Sequence, residues 1–491
     1  MNRELVVAIG LAASLTGGCV QSDSGPAPGG DVATSPSAGS DVAVLFYGAR
    51  LIIGDGSVIE NGAFLVEGDR ILEVGSTGEV TAPPGATSID LAGKTVIPAL
   101  IDIHMHIGYE GYMSWGSENY SRENIIEHLE RYAYYGFGAV LSGGGDAADL
   151  ALEIQRGQRE GEVEGARFLF AAGMAMPGQG LYRAFLEQAL IVEDKTGMNV
   201  RWVIASEEEA RSAVREISGK GIRFIKLWMD DRRRARNYMP PHIYRAIIDE
   251  AHAQGIQVHV HTQYGTPDMP SLWGAGADGF THGRIGWPMD DTFAFQMLDS
   301  GAFLVPNLGL EERRRENVGA DPFLRDAIRP EVAARLVEAY NARQQAGGGG
   351  PFNTPLGSTA TSASEREREL RETFTRLLVT GVDLVLGTDA GGVRDHFFGY
   401  AGHTELERFV RLGMTPMQAI VAGTSRPAER LGLNEMGTIA AGKAAGFVIL
   451  DANPLEDIRN TRTISRVYLR GREVDRDGLR GRLTGGGGTT G

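Results

Sequence analysis

The sequence predicts an α/β protein: a (β/α)8 barrel (a TIM barrel) carrying a smaller β-sandwich assembled from both chain ends. Three observations predict it. From residue 96 onward, short apolar runs alternate with amphipathic or alanine-rich stretches, the pattern of parallel βα units. Eight strand-like runs are found, ending near His106, Gly143, Ala172, Trp228, Thr262, His282, Pro306 and Thr388. Shorter β-type runs separated by turn residues lie on either side of that region. An open doubly wound sheet competes with the barrel, but no Gly-rich dinucleotide turn follows the first strand.

Taken in order, residues 1–19 read as an export signal. Arg3 precedes a short apolar run that closes on small residues and Cys19. The run is too short to span a bilayer. It resembles a bacterial lipoprotein signal, which makes Cys19 the lipidation site. The expected location is therefore the periplasm, or the membrane surface through an N-terminal lipid anchor. Residues 20–41 are small and polar and read as a flexible linker. Residues 42–95 hold the strand-like runs Val42–Tyr47, Ala63–Glu67 and Arg70–Val74, and 430–476 supply Gly446–Leu450 and Ile464–Leu469. Together these form the composite β-sandwich domain. Residues 96–429 are the barrel, with expected helices at Ile125–Tyr135, Ala147–Gln158, Glu207–Ile217, Pro241–Gln254, Asp290–Ser300 and Glu365–Leu378. Within it, 307–372 is an insertion with helices at Glu311–Arg315, Asp321–Ile328 and Glu331–Gln345, either a lid or a solvated addition. Residues 477–491 read as a disordered tail.

Composition narrows the function. A hydrophobic content of 42% and a charged content of 23% suit a folded globular chain. The formal net charge of −15 argues against a nucleic-acid binder. The basic run Arg232-Arg-Arg-Ala-Arg236 reads as a solvated loop or helix start. With Cys19 as the only cysteine, no intramolecular disulfide can form.

The chemistry lies at the strand ends. Val96-Ile-Pro-Ala-Leu-Ile-Asp-Ile-His-Met-His106 puts His104 and His106 on one face of the first strand, because side chains alternate faces along a strand. The fourth strand buries Lys226 within Phe-Ile-Lys-Leu-Trp228. The fifth carries His259 and His261 on one face, the sixth ends at Thr281-His282, and the eighth at Thr388-Asp389. Any one of these has an ordinary structural explanation. A barrel, however, turns strand C-termini into one ring, and these histidines converging there with an aspartate form a metal-binding set.

These motifs resemble those of the metal-dependent amidohydrolase superfamily, closest to its imidazolonepropionase-like and prolidase-like branches. So does the C-terminal pattern Gly437-Thr-Ile-Ala-Ala-Gly-Lys443 with Asp451-Ala-Asn-Pro454. One departure is Ala445-Gly446, where the family commonly has Ala-Asp. The resemblance implies two divalent cations, expected as zinc. His104, His106 and Asp389 hold the more buried one and His259 and His282 the other, with Lys226 carboxylated to bridge them. A carbamate offers two oxygens where an ammonium offers no lone pair, and only a neutral amine reacts with CO₂. It further implies a metal-bridged hydroxide that cleaves a C–N bond of an amide, cyclic amide or peptide, with Asp389 as general acid/base. His261 then polarises the carbonyl or meets the substrate, although a swap with His259 as ligand stays open. Tyr109, Trp115, Tyr264 and Arg284 are candidate substrate contacts, each as readily an ordinary loop residue. A small amide or peptide substrate and a homo-oligomeric assembly are expected. Two rival readings stand beside this one: a mononuclear deaminase on the same barrel, and a non-catalytic exported metal-binding protein.

Overall fold

A computed structural model describes residues 42–229, 239–262, 269–282, 289–312, 315–346 and 360–485. Cys19, the basic run at 232–236, Tyr264 and Arg284 lie outside the described residues. Among the described residues no helix is long and apolar enough to cross a membrane.

Both chain ends enter one eight-stranded sheet. Its N-terminal strands are β1 (Val44–Ile52), β2 (Val58–Glu67), β3 (Arg70–Ser76), β4 (Thr87–Asp90) and β5 (Thr95–Pro98). The order is β17-β16-β15-β5-β1-β2-β3, with β4 beside β1; β15 (Phe447–Leu450), β16 (Ile464–Leu469) and β17 (Arg472–Glu473) come from the other end of the chain. The seam is the antiparallel pairing of β15 with β5, Val448 opposite Ile97. Ala445-Gly446 does not weaken it, since Gly446 O accepts the Ala99 N–H at 3.0 Å. Three strand spacings separate β16 from β1, about 14 Å in a flat sheet. Yet the Tyr468 and Phe46 rings lie 5.2 Å apart, so the sheet curls over its own face. Phe46, Phe64, Phe447 and Tyr468 fill the fold with stacked and edge-on contacts of 4.8–5.2 Å.

The middle of the chain forms parallel strands. β6 (Leu100–Met105), β7 (Phe137–Ser142) and β8 (Arg167–Phe170) make a three-stranded sheet. β9 (Ala172–Ala175), β10 (Trp202–Val203), β11 (Phe224–Trp228), β12 (Gln257–Thr262), β13 (Gly279–His282) and β14 (Phe303–Val305) make a six-stranded one, ordered β10-β9-β11-β12-β13-β14. The third expected strand is thus broken at Ala171: β8 pairs with β7, β9 pairs with β11, and the Ala171 N–H still reaches Ser142 O. The eighth expected strand is not a regular one. Leu384 bridges Leu304, and the segment bonds alternately to two neighbours: Leu304 N–H to Asp383 O, Ile103 N–H to Leu386 O, Thr388 N–H to His104 O.

The six expected barrel helices form within a few residues of their expected ends, Arg122–Tyr134 for example, capped by Ser121 Oγ accepting the Asn124 N–H. In the insertion, Pro330–Gln345 is helical, while the expected Asp321–Ile328 shrinks to Pro322–Arg325. Two long helices were not anticipated, Arg183–Thr196 and Tyr400–Leu412, nor were the short Met269–Gly274, Pro416–Gly423 and Ser425–Arg430. The expected tail is also corrected: Arg476–Leu483 is a helix whose Leu479 and Leu483 are buried in the main core, with Arg476 donating to Tyr134 O. A leucine pair at i, i+4 was the signal for it.

The rings of the curled sheet give a stability prediction. Phe447→Ala should destabilise the fold by about 3–5 kcal/mol, read from urea unfolding of the variant against the wild type.

Candidate metal centre

The site begins at the end of β6. Asp102, His104 and His106 are each buried there, and the pairing of β6 with β7 is irregular between Asp102 and Met105. Asp102 Oδ2 accepts Thr388 Oγ1–H at 2.6 Å and Tyr132 O–H at 2.8 Å; Oδ1 accepts the His104 and Thr388 N–H groups at 3.1 Å each. Burial pushes this carboxyl up to about 6, against the opposing pull of those hydrogen bonds. Asp102 escaped the sequence reading, although a carboxylate inside an apolar strand run was the signal for it.

Thr388 held in this way leaves the next residue in a left-handed turn, Asp389 at φ 61°. Its carboxylate meets three imidazoles: His106 Nε2 at 3.1 Å, His104 Nε2 at 3.4 Å and His282 Nε2 at 4.0 Å. The candidate ligand atoms of His104, His106 and Asp389 lie within 4.8 Å of one another. His106 Nδ1 is 2.9 Å from Gly144 O, which orients the ring with Nε2 toward Asp389. Space is tight behind His104: a Cβ on Gly143 would come within 2.2 Å of its ring.

Electrostatics suit a cation. Burial, then the charge of Lys226, hold His104 well below the ordinary imidazole value. Burial and neighbouring His261 do the same for His282. Burial works to raise Asp389, but the His104 and His106 hydrogen bonds outweigh it and hold the carboxyl well below its usual range. Neutral imidazoles around an ionised carboxylate are the protonation states a divalent metal requires. The donor set therefore fits a metal.

On the opposite side, Lys226 is 1% exposed and its Nζ donates to Thr281 Oγ1 at 2.7 Å. Thr281, beside His282, was not singled out from sequence. The two histidines of β12 part company. The His261 ring lies 4.7 Å from that of His282. His259 sits one layer deeper, against Phe303 at 5.1 Å and Phe224 at 5.7 Å, its Nε2 3.3 Å from Gln257 Oε1. His261 is thus the one whose ring meets His282, whereas His259 is paired across the strands with Lys226. In register with β13, His261 is opposite Thr281 and His259 opposite Gly279, so His261 lies nearer the level of His282. Tyr109, expected to meet substrate, is 1% exposed with its O–H committed to Gly145 O at 2.6 Å.

With this geometry in place, the chain can be compared with known proteins. The amidohydrolase family model matches residues 95–474. The chain belongs to the amidohydrolase family. Enzymes of this family hydrolyse or deaminate at C–N bonds. Among solved structures, a Xaa-Pro dipeptidase with bound methionine aligns at a TM-score of 0.64 and 22% identity, over 88% of this chain and 99% of that one. Molinate hydrolase aligns at 0.67 and 23% identity, over 89% and 96%. Imidazolonepropionase of Roseobacter denitrificans is 40% identical over 73 residues, 14% of this chain. That match spans 18% of the relative's own length.

Two predictions follow from the supports of the site. Thr388→Val leaves buried Asp102 short of its nearest donor and should cost about 1–3 kcal/mol in urea unfolding. Glu110, in the loop beyond His106, is 6% exposed, and burial pushes its carboxyl from 4.5 up to about 8. The folded state then holds a proton that the unfolded chain releases, so Glu110 lowers stability as pH rises from 4.5 to 8. Melting temperatures of Glu110→Gln and wild type should converge near pH 4.5 and separate toward pH 8, with the variant the more stable.

Proposed function

We propose that the chain is an exported metal-dependent hydrolase that cleaves the C–N bond of a small amide or peptide. The observation that carries this is the convergence of His104, His106, His282 and Asp389 within 3.1–4.0 Å contacts. On this reading the two parallel sheets and the 382–388 segment are arcs of one closed (β/α)8 barrel. The backbone bonds of that segment to both β14 and β6, and of Ala171 to Ser142, support it. The curl of the chain-end sheet likewise supports the composite β-sandwich domain.

His104, His106 and Asp389 would hold one cation. Lys226, His261 and His282 would hold the second, with Lys226 as the carbamate. Zinc suits imidazole donors with carboxylate-type oxygens. When bound, the metal supplies Lewis acidity and lowers the pKa of water. Asp389, kept ionised by its two histidine contacts, takes the proton of the attacking water and delivers it to the leaving nitrogen. The Gly144 carbonyl holds the His106 tautomer that leaves Nε2 free to donate its lone pair. His259, buried among Phe224 and Phe303, supports the ring from below.

Metal analysis of protein grown with bicarbonate, beside a panel of N-acyl amino acids and dipeptides, tests this. About two divalent ions per chain are expected. Lys226→Ala and His261→Ala should each lower that number, whereas His259→Ala should keep it. About one ion, indifferent to Lys226→Ala, would favour the mononuclear deaminase. Turnover of a lactone or phosphotriester with none of the amides would sink the C–N assignment. Asp389→Asn should reduce kcat by roughly 10²–10⁴-fold.

A further inference from the structure

Outside the ligand set, one group of side chains touches the site's backbone at several points. Tyr109, Trp115 and Tyr182 form a stack, with centroids 5.9 Å and 6.3 Å apart and interplanar angles of 29° and 22°. Phe185 lies edge-on to Tyr109 at 4.7 Å, to Trp115 at 5.1 Å and to the His106 ring at 5.1 Å. Every ring of the stack ends on a backbone carbonyl of a glycine: Tyr109 O–H on Gly145 O at 2.6 Å, Trp115 Nε1–H on Gly391 O at 2.7 Å, Tyr182 O–H on Gly392 O at 3.0 Å.

Gly391 and Gly392 lie directly against His106 and Asp389. A Cβ on Gly391 would stand 2.0 Å from His106 O. A Cβ on Gly392 would stand 2.9 Å from both Asp389 Oδ1 and His106 Cδ2. Asp389 itself holds a left-handed φ of 61°, a conformation that persists only where surrounding structure enforces it. From inside, the turn is fixed by Gly391 N–H to His396 O and Gly392 N–H to Asp389 O. From outside, it is fixed by the two ring donors.

We propose that Trp115 and Tyr182 are positioning residues for the metal centre, clamping the Gly391–Gly392 turn onto the Asp389–His106 pair. This rests on the reading above, in which that pair holds a cation. The clamp gathers three separate loops, those after β6, after β9 and after Asp389. A side chain that merely packed would not need its polar tip aimed at these two successive carbonyls. Both rings are half-buried, so water can replace the carbonyls when the turn moves. The clamp therefore limits motion of Asp389 and does not lock it outright.

Trp115→Phe and Tyr182→Phe keep a ring and delete one donor each. The readouts are the Co²⁺ dissociation constant by chelator competition, the visible spectrum of the Co²⁺ protein, kcat and KM at saturating metal, and melting temperature. Each variant is expected to bind Co²⁺ roughly three- to ten-fold more weakly, the size of one lost hydrogen bond. A changed Co²⁺ spectrum and a kcat that falls more than KM rises should accompany this. A wild type that binds Co²⁺, with both variants matching its affinity and spectrum, overturns the clamp alone. A rise in KM with affinity and kcat intact also overturns it, making the rings substrate contacts. A wild type that binds no Co²⁺ overturns both the clamp and the metal reading beneath it.

Discussion

The arrangement depends on the Asp102 carboxylate, which joins the first strand of the parallel region to its last segment. Four hydrogen bonds converge on it, two of them from Thr388. In a buried setting such a group is held only while its partners stay in place, because an unpaired carboxyl there is costly. Thr388 is therefore fixed beside His104, and the backbone has to turn through a left-handed residue to leave. That residue is Asp389. His104 and Asp389, from opposite ends of the parallel-stranded region, meet because a second carboxylate pins their segments together.

Beneath the polar ring the interior is apolar. Ile101, Ile103, Leu141, Phe224, Phe303, Val305 and Val385 pack as one cluster under the site. This floor keeps water out from below and explains why His104, His259 and His282 stand neutral, burial being the leading cause for all three. A neutral imidazole in a ligand position is ready for a cation. His259, one layer down, packs against Phe224 and Phe303 and lies opposite Lys226. Depth, and not residue type, separates the two histidines of β12.

The aromatic stack closes the third side. Its residues come from loops that the strand pattern leaves undetermined, and two of their polar tips meet Gly391 and Gly392, where a Cβ would collide with His106 or Asp389. Floor, pinned strand pair and outer stack together define a centre whose ligands have little freedom to reorganise, the condition under which positioned groups act most strongly.

The sequence by itself marked His104, His106, His282 and Asp389, which the structure brings together, but not the Asp102 that holds them. His104 and His106 were legible through the period of a strand, Lys226 through a charge inside an apolar run, and His282 and Asp389 through their places at strand ends. It also showed that both chain ends supply β-structure, because turn residues punctuate each. What it could not determine is what depends on neighbours distant in the chain. The level of His259 against His261 is set by register with β13. The irregular last strand is set by Asp102 intercepting its backbone. The helix Arg476–Leu483 forms where Leu479 and Leu483 find a core that a short polar segment does not reveal. Alternation and composition are local quantities, whereas depth, register and convergence are relations between segments, and only the folded chain supplies them.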